Sequence, residues 1–141
     1  MEHSGNRRLP QSVRLNNPGN IRQSRQCFSG EINHGRQSAF KEFVSVKYGF
    51  RAMKRVLKTY LYNHGLDTIE KIITRWAPPQ DHNDTEAYIR FVSEQSKIPR
   101  NRKLRYTPAD IVPLMLAIAR FEAGYLPDGW IHASFEAWEM K

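Results

Sequence analysis

Cysteine is nearly absent: Cys27 stands alone in 141 residues, which excludes an internal disulfide and any multi-cysteine metal centre. Long apolar runs are absent too, so no membrane span is expected. The opening "MEHSGNRRLPQSVR" lacks the apolar core of a Sec-type export signal. The chain is expected to be made in the cytoplasm; action in the periplasm, cell wall or a virion would need lysis or a dedicated machine. His3, His34, His64, His82 and His132 are scattered, with none four residues from another, so no zinc-binding helix is readable. There is no Walker loop, no dinucleotide-binding glycine fingerprint and no repeat of about 20–50 residues. No metal and no cofactor is implied. Acidic residues are in deficit, 14 against 22 basic ones, which leaves 22 − 14 = +8. That surplus favours a polyanion: nucleic acid, an anionic membrane or the cell wall. Much of it lies in "NRR", "RQSRQ", "KRVLK" and "KIPRNRKLR". Solvated surface charge explains these clusters equally well, and charge alone does not choose the polyanion.

The balance of 40% apolar and 26% charged residues is that of an ordinary globular chain, long enough for one domain with one core. Residues 1–13 are polar and aperiodic and read as a flexible arm, leaving 14–141 as a single domain. "NNPGN", Asn16–Asn20, predicts a type II turn with Gly19 at positive φ. "CFSGEINHGRQSAFKEFVSV" suits a small β-lobe, with alternation clearest from Phe40 to Phe43. Beyond Tyr48 the spacing turns helical through Phe50, Met53, Val56, Leu57, Tyr60 and Leu61, with Gly65 as the stop. Asp67 with Glu70, and Asn83 with Glu86, have the spacing of capping boxes. Pro113 places a break near the start of the helix "TPADIVPLMLAIARFEAG". A last helix is expected after Ser134. The fold class is mainly α with a small β-lobe near the N-terminus.

"AIARFEAGYLP" carries an acid, Glu122, on the last turn of its helix, where unpaired carbonyls favour cations. At about 100° per residue, Ile111, Leu114, Met115, Ile118, Phe121 and Glu122 share one arc of about 120°. Desolvation on that face and the negative helix end both favour a protonated carboxyl, which suits a general acid. A structural role for Glu122, as a cap or an arginine partner, is the competing reading.

The same stretch resembles the segment around the catalytic glutamate of soluble lytic transglycosylases and goose-type lysozymes. Glu122, Gly124 and Pro127 match, Tyr125 stands for an aromatic, and Ala123 replaces a serine. "DTEAYIRFV" resembles that family's tyrosine segment, which puts Tyr88 near the acid. "NNPGNIR" followed by "FKEFVSVKYGFRAMKRVLKTY" resembles flagellar-type glucosaminidases. In those families the glutamate helix comes first; here it comes last, the order of a circular permutation, which surface termini tolerate. The arrangement from about Leu15 to Tyr125 also resembles a set of phage and prophage proteins labelled structural protein P5 or virion protein. The resemblances imply a permuted lysozyme-like domain that cleaves the glycan strand of peptidoglycan, with Glu122 as general acid and Tyr88 beside it. They equally allow a particle component that keeps the fold without activity. A basic nucleic-acid-binding module using "KIPRNRKLR" is a third expectation.

A retaining glycosidase places a second carboxylate about 5 Å from the acid and an inverting one about 6.5–9.5 Å away. Glu31 and Glu42 are the candidates, against a role as solvated surface charge. A transglycosylase needs neither, since the sugar's own 6-hydroxyl attacks. Asn17, Asn20 and Arg22 are candidate substrate contacts, with turn chemistry as the alternative for the asparagines. Trp76 and Tyr88 are candidate stacking surfaces, with core packing as the alternative, and Tyr125 is a further candidate substrate contact. Expected partners are peptidoglycan and phage or secretion-particle proteins, with nucleic acid behind them.

Overall fold

The computed structural model describes residues 9–141. It is mainly helical, with six α-helices among the described residues: α1 (Gln11–Arg14), α2 (Val46–Asn63), α3 (Ile69–Trp76), α4 (Thr85–Ser96), α5 (Pro108–Ala123) and α6 (Trp130–Glu139). A short 3-10 turn, Pro79–Asp81, joins α3 to α4. The predicted arm ends earlier than residue 13, because Gln11–Arg14 is helical and Ser12 is fully buried against the body. The rest of that arm, residues 1–8, lies outside the described residues.

α5 is the axis of the core. Its residues Ile111, Leu114, Met115, Ile118 and Ala119 are fully buried. They meet Phe50, Met53 and Leu57 of α2, Ile72 and Ile73 of α3, and Tyr88 and Val92 of α4 in one apolar cluster. Burying a large aliphatic or aromatic side chain stabilises by about 1.5–3 kcal/mol, so this cluster fixes the helix arrangement. α6 packs along α2, with Phe50 and Trp130 in an edge-to-face pair at 5.8 Å. Lys54 of α2 reaches under the end of α6 and donates to the carbonyls of Trp138 (3.0 Å) and Met140. The buried cation thereby occupies the negative end of that helix.

Helix ends follow local chemistry, shifted by one residue from the sequence expectation. Thr68, not Asp67, caps α3 by accepting from the Lys71 amide, and Asp84, not Asn83, caps α4 by accepting from the Ala87 amide. Glu70 and Glu86 are drawn away from the caps by Arg100, which pairs with both. Pro113 does not break α5, which is continuous from Pro108. The amide that Pro113 lacks would have paired with the carbonyl of Ala109, an exposed residue of the first turn. α6 begins at Trp130, ahead of the start expected after Ser134.

The expected β-lobe is not a sheet. Among the described residues, pairing is limited to two isolated antiparallel bridges, Arg22 with Phe40 and Glu31 with Phe43. Side chains replace the ladder: Asn33 donates to the Phe40 carbonyl (3.0 Å) and accepts from the Glu42 amide (2.8 Å). The turns at Gly30 and Gly35 take positive φ, which interrupts any extended run. A buried ion pair, Lys41 with Glu31 at 2.7 Å, anchors this lobe, and both side chains are fully enclosed.

Candidate active site

The loop that carries "NNPGNIR" is built around Asn17. Its side chain is wholly buried, donating to the carbonyls of Lys41 (2.8 Å) and Ile21 (3.0 Å) and accepting from the Ile21 amide (2.9 Å). Asn17 therefore shapes the loop from within and presents nothing to a ligand. The turn across Pro18 and Gly19 closes with the Asn20 amide donating to the Asn17 carbonyl at 2.9 Å. It is not the predicted type II turn, because the positive φ falls on Asn16 and Asn20 and not on Gly19. Gly19 is required for a different reason: a Cβ there would lie 2.7 Å from the Trp76 ring, whose indole N–H donates to the Gly19 carbonyl at 3.1 Å.

The left-handed backbone at Asn20 aims its side chain at α5. Asn20 Nδ2 donates to Glu122 Oε1 at 2.6 Å, while its Oδ1 accepts from Gln11 of α1 at 3.2 Å. Gln11 thus fixes which end of the Asn20 amide faces the acid. From α4, the Tyr88 hydroxyl donates to Glu122 Oε2, also at 2.6 Å. Tyr88 is held in turn by Phe121, stacked on its ring at 3.7 Å between centroids. Burial pushes the Tyr88 phenol well above its ordinary value, and the Glu122 charge and hydrogen bond add to that. The phenol accordingly remains a donor through the neutral range.

Glu122 is half-buried on the last turn of α5, one turn past Ile118 on the same apolar face. It opens onto a cavity of about 140 Å³ lined by Gly19, Asn20, Arg22, Phe40, Trp76, Asp81 and Asn83. An adjoining cavity of about 190 Å³ shares Gly19, Asn20, Arg22 and Trp76 and extends the groove to Tyr60 and Val56. Trp76 is the wall common to both, braced edge-on by Tyr60 at 6.2 Å. Arg22, in the lining of both cavities, is exposed, with its guanidinium over the Phe40 ring. A larger apolar cavity of about 450 Å³ between α5 and α6 has no carboxylate in its lining.

The fold therefore brings together Glu122, Tyr88, Asn20, Arg22 and Trp76. It does not bring Tyr125, Glu31 or Glu42 to the same cleft. Tyr125 is exposed beyond the end of α5, outside the lining. Glu31 is committed to Lys41 and to the Phe28 amide at 2.9 Å. Glu42 lies in the lobe and outside the lining. Asp81, which the sequence did not single out, is the second carboxylate of the cleft. Its placement on the 3-10 turn follows from Pro78-Pro79 ending α3, a signal that was legible as a helix stop but not as a carboxylate carrier.

The basic loop "KIPRNRKLR" is less positive than its composition. Arg100 is forked onto Glu86, at 2.8 Å on one arm, and bonded to Glu70. Arg102 is paired with Asp110 at 2.7 Å. Burial raises the Asp110 carboxyl, but the Arg102 guanidinium and the Arg105 amide outweigh it and hold it below its usual value.

The chain is similar to Protein P5 of Pseudoalteromonas phage PM2. The two are 44% identical over 95 residues, which is 65% of this chain and 59% of the phage protein. The chain thus spans somewhat over half the length of that relative. No protein-family model matches. No helix among the described residues is long and apolar enough to cross a membrane.

Proposed function

We propose that the chain cleaves the glycan strand of peptidoglycan, with Glu122 as the general acid of a lysozyme-like cleft built in permuted order. One observation carries this reading: a carboxyl at the wall of an open groove, gripped on both oxygens by Asn20 and Tyr88. A glycosidic oxygen that enters the groove takes the proton from Glu122, and the bond from that oxygen to the anomeric carbon breaks. Asn20 and Tyr88 then stabilise the negative charge left on Glu122, donors already in place before it develops. Each carboxyl oxygen accepts a single bond from these groups, which leaves a position on the carboxyl for the proton that is handed to the glycosidic oxygen. Trp76 offers a face for a sugar ring, and Arg22 offers a cation to the acidic groups of the wall. Asn17 supports this site as the pin of the loop rather than as a contact. The sugar cation is quenched by its own 6-hydroxyl in a transglycosylase, the hydroxyl proton returning to the Glu122 carboxylate, or by water in a hydrolase. Asp81, in the lining of the same cleft, is the candidate base for water.

The experiment is digestion of purified peptidoglycan with the wild type and Glu122→Gln, followed by analysis of the soluble muropeptides. Release by the wild type alone supports the assignment; equal release by both proteins, or none by either across a range of pH, rejects it. Anhydro ends on the products mark a transglycosylase and reducing ends a hydrolase.

The similarity to a phage protein favours a second reading, a particle component that retains the cleft without turnover. It predicts association with assembled particles and no muropeptide release. The nucleic-acid reading loses support, because Arg100 and Arg102 are already paired with acidic side chains.

A further inference from the structure

Cys27, Glu31 and His34 carry no metal-ligand signal in the sequence: a single cysteine, an acid considered only as a second carboxylate, and one of several scattered histidines. Folding of the lobe brings one donor atom from each to within 4.8 Å of the others, the one such group among the described residues. Glu31 is the anchor. Its side chain is fully enclosed, and Oε1 is occupied by the Lys41 ammonium at 2.7 Å and the Phe28 amide at 2.9 Å. Oε2 is left pointing at His34 Nδ1, 3.2 Å away. A carboxylate oxygen and a ring nitrogen held this close share a proton or a cation between them. Cys27 is exposed and supplies a soft sulfur on the same side, and His34 borders an open surface cavity that gives solvent a path in.

We propose that Cys27, Glu31 and His34 form a binding site for a zinc-like divalent ion. Thiolate, imidazole and carboxylate together are the donor set of zinc, not of magnesium or calcium, which prefer oxygen alone. Three protein ligands leave a fourth, tetrahedral position for water. On binding, the Cys27 S–H bond breaks, its proton passes to buffer, and sulfur bonds the metal. His34 binds through the Nδ1 lone pair with its proton on Nε2, and Glu31 through Oε2. The Lys41 charge opposes a cation, but it is already matched by Glu31, and the Cys27 thiolate adds one negative charge. The fixed Oε1 contacts pre-orient the Glu31 ligand, the arrangement that outer-shell partners provide in metal sites. The ion would tie the exposed outer turn of the lobe to its buried ion pair. The inference is independent of the reading of the cleft.

The test is titration of the full 141-residue chain, stripped with chelator, with cobalt(II) and then zinc. Cobalt should produce a thiolate charge-transfer band in the near ultraviolet and tetrahedral bands in the visible at one ion per chain, and zinc should abolish both. Cys27→Ser should lose the charge-transfer band, and His34→Ala should lose the tetrahedral visible bands. Zinc should raise the thermal midpoint of the wild type and of neither variant. Both positions are exposed, and circular dichroism establishes that the variants fold. Absence of the charge-transfer band in the wild type, or zinc stabilisation undiminished in both variants, overturns the proposal. Loss in Cys27→Ser with no change in His34→Ala also overturns it, since that describes a thiolate adduct and not a three-ligand site.

Discussion

Asn20 and Glu122, 102 residues apart in the chain, meet through a 2.6 Å hydrogen bond. The contact joins a left-handed loop residue to the last turn of the central helix, and the Tyr88 hydroxyl closes the other side of the same carboxyl.

Glu122→Gln should lower muropeptide release by about 10²–10⁴-fold, the range for loss of a general acid. The amide keeps the shape, with its oxygen toward Asn20 and its nitrogen toward the Tyr88 oxygen. The denaturant midpoint should therefore change little, which separates lost chemistry from lost folding.

Tyr88→Phe keeps the stack on Phe121 and removes only the hydroxyl. A hydrogen bond to a charged group contributes about 1.5–3 kcal/mol, so release should fall about tenfold to a hundredfold. An unchanged rate in this folded variant would remove Tyr88 from the mechanism.

The same variant should alter alkaline stability. Burial raises the folded-state pKa of the Tyr88 phenol above its ordinary value of 10.0. The unfolded chain therefore releases this proton at lower pH than the folded one. The stability it contributes is complete below about pH 10 and falls as pH rises beyond it. Thermal midpoints measured from pH 9 upward should drop steeply in the wild type and less steeply in Tyr88→Phe. Tyr60 and Tyr106, also raised chiefly by burial, contribute the same background to both.

Lys41→Met should destabilise by about 3–5 kcal/mol, because it leaves Glu31 enclosed without its partner. Lys41→Met combined with Glu31→Leu should recover much of that loss. Chemical denaturation of the single and double variants measures the difference. Additive losses would mean that the pair is not coupled.

Gly49→Ala sets two effects against each other. Alanine favours the helix by about 0.8–1.0 kcal/mol over glycine. Its Cβ would lie 2.3 Å from the Asn16 carbonyl oxygen and 2.5 Å from Pro18, which are parts of the site loop. Overpacking costs about 1–3 kcal/mol, and a backbone oxygen yields less than a side-chain tip. The net effect should be destabilising, and displacement of the loop should also reduce release by pulling Asn20 from Glu122.

The reading of the loop asparagines shows where sequence reasoning stops. Both suit a turn, and both tolerate positive φ, so type alone does not separate a contact from a pin. Asn17 became the pin because it faces the lobe and meets three backbone groups there; Asn20 faces α5 because its backbone is left-handed. Gly19 was legible as a turn residue, but its requirement comes from the Trp76 ring, which belongs to a helix far along the chain. Alternation at Phe40–Phe43 has the pattern of a strand, but it does not register that Asn33 bonds the Phe40 carbonyl and the Glu42 amide.

The sequence by itself determined the mainly helical class and the placement of Glu122 on the last turn of α5, within its apolar arc. Helical periodicity and end chemistry are properties of neighbouring residues, and they survive folding almost unchanged. Only the tertiary structure decided which groups surround that acid. Asn20 and Tyr88 bond it, and Trp76 and Asp81 line its cleft, each from a separate element; their placement depends on how buried surfaces pack, which no local spacing encodes.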